Sequence, residues 1–141
     1  MPNSTGAFTR MFVEDLDGNT RNWKVKGKEV TLDKRPRSGL HKAAREIIKN
    51  RFPTLLVLEE VPIQPRPRQT LYLDFYMPLR KLAIEVHGQQ HYKFSSLFHS
   101  SASEFLQQKK NDRDKAEWCY INDIELIIMP FDKQDEWGDL L

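Results

Sequence analysis

Within YLDFYMPLRKLAIEVHGQQHY, residues 72–92, lie two carboxylates, two histidines and a glycine in an otherwise apolar stretch. Side chains on a β-strand alternate between faces. Leu73, Phe75 and Met77 then share one face, as do Leu82, Ile84 and Val86, and both sets are apolar enough to face a core. Asp74 and Glu85 fall on the opposite face of two strands joined by a short turn. A turn centred on Leu79-Arg80 places Asp74 directly opposite Glu85, and Tyr72 opposite His87. Opposed side chains in an antiparallel pair have Cβ atoms about 5 Å apart, and like charges so placed destabilise the sheet. One acid is then pushed towards protonation unless a cation sits between them. Hard carboxylate oxygens suit Mg²⁺, with Mn²⁺ as a substitute. Two solvated acids in a slightly different register are the plainer alternative.

Gly88 ends the second strand and permits a sharp bend. His91 follows beyond the strand tip, near the acids, where a histidine can move a proton at a phosphate. His41 and His99 are read as structural residues. A helix over residues 102–120 has Phe105, Ala116, Cys119 and Tyr120 as its inward stripe, with Asp112 on the same side and Lys115 flanking it. An inward acid needs a partner. Either Asp112 pairs with Lys115 or a loop, or it orients a catalytic histidine while Lys115 contacts phosphate. On an earlier helix, Glu46 either pairs with Lys42 or Lys49 or reaches over the sheet towards the metal.

The elements that must position these groups follow from periodicity and punctuation. Residues 8–15 and 20–26 read as strands around Asp17-Gly18, a hairpin signal. Residues 27–38 are a polar, basic connection, and Ser38 can cap a helix over 39–51. Leu40, Ala43, Ala44, Ile47 and Ile48 form its amphipathic stripe, and Pro53 stops it. Residues 55–61 read as a strand. Residues 62–69, with three prolines and two arginines, read as an extended basic loop. A Ser-rich loop spans 95–101. Residues 124–129 form a buried strand closed by Pro130. The order predicts an α/β (α+β) fold: a central mixed sheet flanked by helices, with an N-terminal β-hairpin extension. It divides into 1–37 (hairpin and basic connection), 38–131 (core) and 132–141 (acidic tail). Trp137 and the leucines of that tail either dock on the body or stay loose.

The chain has 141 residues, 39% hydrophobic and 30% charged, a balance that suits one domain with a core. A single cysteine, Cys119, excludes an internal disulfide and fits a reducing compartment, so a cytoplasmic location is expected. Its apolar runs are too short to span a membrane. Residues 21–51 hold eleven Lys/Arg against three Asp/Glu, a net of +8, while residues 123–141 carry a net of −5. A basic region either attracts polyanions, nucleic acid above all, or is simply a solvated face.

Asp74 and Glu85, the latter within IEVHG, resemble the PD-(D/E)XK nuclease superfamily. The closer likeness is to the branch of very short patch repair endonucleases and phage-type EDxHD homing endonucleases. It rests on Asp74-Phe75-Tyr76, Ile84-Glu85-Val86, Gly88, Gln90-His91-Tyr92, Asp112, Lys115, Cys119 and Leu126-Ile127-Ile128, with Glu46 matching the first-helix acid. These positions span roughly residues 38–131. One departure is His87, which stands where the superfamily usually has lysine; in the EDxHD-like branch histidine does this work. The resemblance implies a restriction-endonuclease-like core. It also implies a Mg²⁺-dependent endonuclease that hydrolyses phosphodiester bonds in double-stranded DNA, and a homing role in particular. Asp74 and Glu85 would hold the metal, and Glu46, His87, His91, Asp112 and Lys115 would complete the catalytic set. Arg35, Arg37, Lys42, Arg66, Arg68, Lys109 and Arg113 would hold the DNA backbone, and a homodimer would be needed for double-strand breaks. A mismatch or nicking enzyme, a nucleic-acid-binding module without turnover, and a protein-interaction domain with structural acids are the alternatives.

Overall fold

A computed structural model describes residues 10–30, 39–96 and 99–141. Strands β1 (Arg10–Glu14) and β2 (Thr20–Lys24) form an antiparallel hairpin. Its turn is held by Asp15, whose Oδ1 accepts the N–H groups of Asp17 and Asn19, and by Gly18 at φ 89°. A five-stranded sheet follows, with β3 (Lys28–Glu29), β4 (Leu58–Arg66), β5 (Gln69–Met77), β6 (Leu82–His87) and β7 (Glu125–Pro130) side by side in that order. β3 to β6 are antiparallel neighbours, whereas β7 joins β6 in parallel. That crossover is made by helix α2 (Ala102–Ile121). Helix α1 (Gly39–Arg51) precedes β4, and a short helix α3 (Trp137–Leu140) closes the chain. The fold is mixed α+β.

Both faces of the sheet are covered, so β6 is buried along its whole length. On one face α1 lays Ala44 and Ile48, both fully buried, against Phe75, Met77, Ile84 and Met129. This is the helical stripe that periodicity predicts. On the other face the hairpin and α2 bring Trp23 and Trp118 together edge to face, 5.0 Å apart, over Tyr76. The acidic tail docks: Trp137 is fully buried in the α1 layer, and its indole N–H donates to the carbonyl of Pro130.

Three expectations are corrected. Residues 62–66 are not loop but the second half of β4, despite Pro62 and Pro65. Proline is tolerated on an unpaired strand edge, where its missing N–H costs nothing. β3 pairs only with Leu58 and Glu59, so the edge beyond is open, and the Pro62 and Pro65 carbonyls there accept from the Trp23 indole and the Leu16 N–H. Second, Leu73 does not share a face with Phe75 and Met77; it packs with Tyr76 in the Trp23 layer. The β4–β5 ladder skips Glu60 and Asp74, and Glu60 sits at φ 57°. Alternation therefore changes phase at that step in both strands. Third, the inward stripe of α2 is carried by Asp114, Trp118 and Cys119, whereas Ala116 and Tyr120 face solvent. The cap expected from Ser38 lies outside the described residues.

Candidate active site

The β5–β6 hairpin pairs Phe75 with Ile84, Tyr76 with Ala83 and Met77 with Leu82. This is the register that a turn at Leu79-Arg80 dictates, and its next step sets Asp74 beside Glu85. There the backbone ladder stops and side chains take over. The Asp74 N–H donates to Glu85 Oε2 at 2.7 Å, and the Val86 N–H donates to Asp74 Oδ2 at 2.8 Å. Buried amides need acceptors, and each strand satisfies the other's with a carboxylate. The two acids are thus locked together by the interruption that turns Asp74 out of phase.

A cation does sit beside the pair. Lys115, on α2, donates from Nζ to Glu85 Oε1 at 2.8 Å. Glu85 is only 2% exposed. Burial first, and then the charge of Asp74, push its carboxyl up to about 7 in spite of Lys115. For Lys115, burial works against the charge, but Glu85 holds its ammonium above the ordinary lysine range. Asp74 adds a smaller attraction to the same ammonium. His41 of α1 approaches Asp74 from the other side, with Nε2 3.9 Å from Oδ1.

Beyond β6, Gly88 adopts an extended conformation with φ −76°. A Cβ there would meet only the end of the flexible Gln90 side chain, so neither space nor backbone angle demands glycine. A single 3₁₀ turn over Gln89–His91 then folds His91 back onto His87. The rings stack in parallel with centroids 4.0 Å apart. Asp112 Oδ2 lies 3.0 Å from His91 Nδ1, so α2 orients this imidazole. Lys109 donates to the His91 carbonyl at 2.9 Å. Burial, and then the neighbouring His91, hold His87 down at about 4. His87 Nε2 is 3.9 Å from Glu85 Oε1.

Two cavities meet at these groups. One of about 550 Å³ is lined by His41, Asp74, Glu85, His91 and Lys115 among others. The second, about 420 Å³, is lined by Glu85, His87, Lys109, Asp112, Arg113 and Lys115, with aliphatic walls from β7. Glu85 and Lys115 border both.

Six of the expected catalytic residues therefore converge: Asp74, Glu85, His87, His91, Asp112 and Lys115. Glu46 does not join them; it is exposed on α1 and lines neither cavity. Among the expected DNA contacts, Lys109 and Arg113 border the second cavity. Lys42 and Arg68 are exposed, and Arg35 and Arg37 lie outside the described residues. Arg66 is bonded at 2.8 Å to Asp114, which also accepts from Gln69 and Lys110. His41, expected to be structural, lines the first cavity near Asp74; it follows the helical stripe through Ala44 and Ile48, a signal that points it at the sheet. His99 is buried, with its ring held by Ser95 and Gln108.

No protein-family model and no solved structure matches the chain. Relatives come from viruses. "Uncharacterized protein 094L" of Frog virus 3 is 28% identical over 136 residues, 95% of this chain and 86% of its own length. "Uncharacterized protein 307L" of Invertebrate iridescent virus 6 is 38% identical over 65 residues, 46% of this chain. "Uncharacterized protein 033L" of Invertebrate iridescent virus 3 is 31% identical over 67 residues, 48% of this chain. The matches span 33% and 34% of the length of these last two relatives. Among the described residues no helix is long and apolar enough to cross a membrane.

Proposed function

We propose that this chain is a metal-dependent endonuclease of the PD-(D/E)XK type, acting on double-stranded DNA. The observation that carries the reading is the Asp74–Glu85 pair, locked together at the end of a hairpin beside one lysine on the wall of an open cavity. The donor set fits a divalent ion. Both groups offer hard oxygens, and burial first, then the charge of Asp74, lift Glu85 to about 7, a cost that a bound cation would offset. Asp74 and Glu85 would hold Mg²⁺, or Mn²⁺ in its place. When bound, such an ion polarises a phosphate oxygen and acidifies water.

The chain's own residues supply the remainder. Lys115, fixed by Glu85, presents positive charge to a phosphate entering the cavity. His91, oriented by Asp112, moves the proton between water and the departing oxygen. His87 is neutral at physiological pH and packs His91 in place. Lys109 and Arg113 border the approach, where they attract the backbone without reading sequence. A homing-type role and a reducing, cytoplasmic setting follow from the sequence resemblance and the single buried Cys119.

The test is incubation of supercoiled plasmid with Mg²⁺ or Mn²⁺, beside Asp74→Asn. Metal-dependent nicking or linearisation that disappears in the variant is expected. Salt-sensitive binding without cutting would move the protein to the non-catalytic class, and neither activity would sink the reading altogether.

A further inference from the structure

His87 has no chemical task in the reaction proposed above. It is nevertheless 9% exposed and stacked face to face on His91. Two imidazolium rings 4.0 Å apart would repel each other, so at least one ring keeps a free nitrogen lone pair. One donor atom from each of His87, His91 and Asp112 lies within 4.8 Å of the other two. Four-coordinate zinc, with bonds of about 2.0–2.1 Å, holds its donors roughly 3.4 Å apart. His91 and Asp112 already approach to 3.0 Å, and binding would require the His87 ring to turn out of its stack on His91. Imidazole nitrogen selects zinc, cobalt, nickel or copper over magnesium. The second cavity opens onto His87 and Asp112, which leaves room for a further ligand.

We propose that His87, His91 and Asp112 form a transition-metal site of the zinc class, separate from the Asp74–Glu85 carboxylate pair. Two imidazoles and a carboxylate make a three-ligand site that admits water or an anion as the fourth, and its occupation would take His91 and Asp112 out of the proton transfer assigned to them above, so the ion would inhibit cleavage.

The test uses the full chain, stripped of metal and titrated with Co²⁺ while its visible absorption is followed. One equivalent should develop d–d bands, to be displaced by Zn²⁺ and not by a large excess of Mg²⁺. With Mg²⁺ present in excess throughout to occupy the carboxylate pair, His87→Gln and His91→Gln should each weaken Co²⁺ binding at least about tenfold. Circular dichroism checks each fold; His91 lies on the 3₁₀ turn outside the sheet, so His91→Gln decides the matter if His87→Gln does not fold. Bands that survive both histidine variants overturn the site, as does the absence of any Co²⁺ signal. No DNA cleavage enters this measurement, so its failure and the failure of the nuclease reading are distinguishable.

Discussion

Glu85 and Asp114 are both carboxylates withdrawn from water, 2% and 5% exposed, and helix α2 serves both. Their surroundings differ. Burial pushes Asp114 upward, but hydrogen bonds from Gln69, Lys110 and Arg66 more than offset it and hold the group below its ordinary range. Glu85 accepts from one charged donor, Lys115, while burial and the neighbouring Asp74 raise it to about 7. The same fold that surrounds one buried acid with donors sets the other against a second carboxylate. Depth alone therefore does not mark a site; a raised carboxyl beside another acid on a cavity wall is the sharper signal.

The sharpest way to break this contrast is Asp74→Asn. The amide keeps an oxygen acceptor for the Val86 N–H but removes the charge. Metal-dependent plasmid cleavage should fall about 10³-fold or more, with the fold intact by circular dichroism. Cleavage within tenfold of the parent would show that the pair is structural, like Asp114.

A second buried pair tests the compensated side. Arg45 and Glu59 are each about 4% exposed and bonded at 3.0 Å. Arg45→Ala strands a buried carboxylate and should cost about 3–5 kcal/mol in urea unfolding. A loss below about 1 kcal/mol would mean that Glu59 finds water or another donor.

The third test is stability against pH in metal-free buffer. Glu85, at about 7 in the fold against an ordinary 4.5, adds stability that is full below pH 4.5 and lost as pH rises through 7. His87, at about 4 against 6.5, does the reverse: its contribution is full above 6.5 and lost as pH falls through 4. Each is worth roughly 3 kcal/mol, and they oppose each other between about pH 4.5 and 6.5. The parent should be nearly flat there. His87→Gln should unmask Glu85 and lose roughly 3 kcal/mol between about pH 4.5 and 7. A flat profile for that variant would refute the Glu85 assignment. The smallest expected effect is Glu46→Gln. An exposed side chain remote from both cavities should change cleavage less than about twofold and stability by less than about 0.5 kcal/mol.

Much of the scaffold was legible because its signals are local. Asp17-Gly18 marks the first hairpin, and the stripe from Leu40 to Ile48 bounds α1. The spacing of Asp74 and Glu85 about Leu79-Arg80 yields the observed register. What escaped depends on partners distant in the chain. Pro62 and Pro65 look like loop residues until the open edge of β4 is known. On α2 the inward side of Asp112 and Lys115 was legible, but Asp114, which meets Arg66, and Trp118 were not, and Ala116 and Tyr120 took their place in the expected stripe. Basic charge was legible, but which charges are already neutralised was not, and Arg66 is one that is.

Turn length and the hairpin register it sets, which are properties of neighbouring residues, by themselves determined that two acids meet at the end of one hairpin. Only the tertiary structure decided how much positive charge reaches them. The skipped Glu60–Asp74 step, the approach of Lys115 and the stacking of His91 on His87 all join segments brought together by packing. Electrostatic balance depends on distances through space, and no spacing along the chain encodes those.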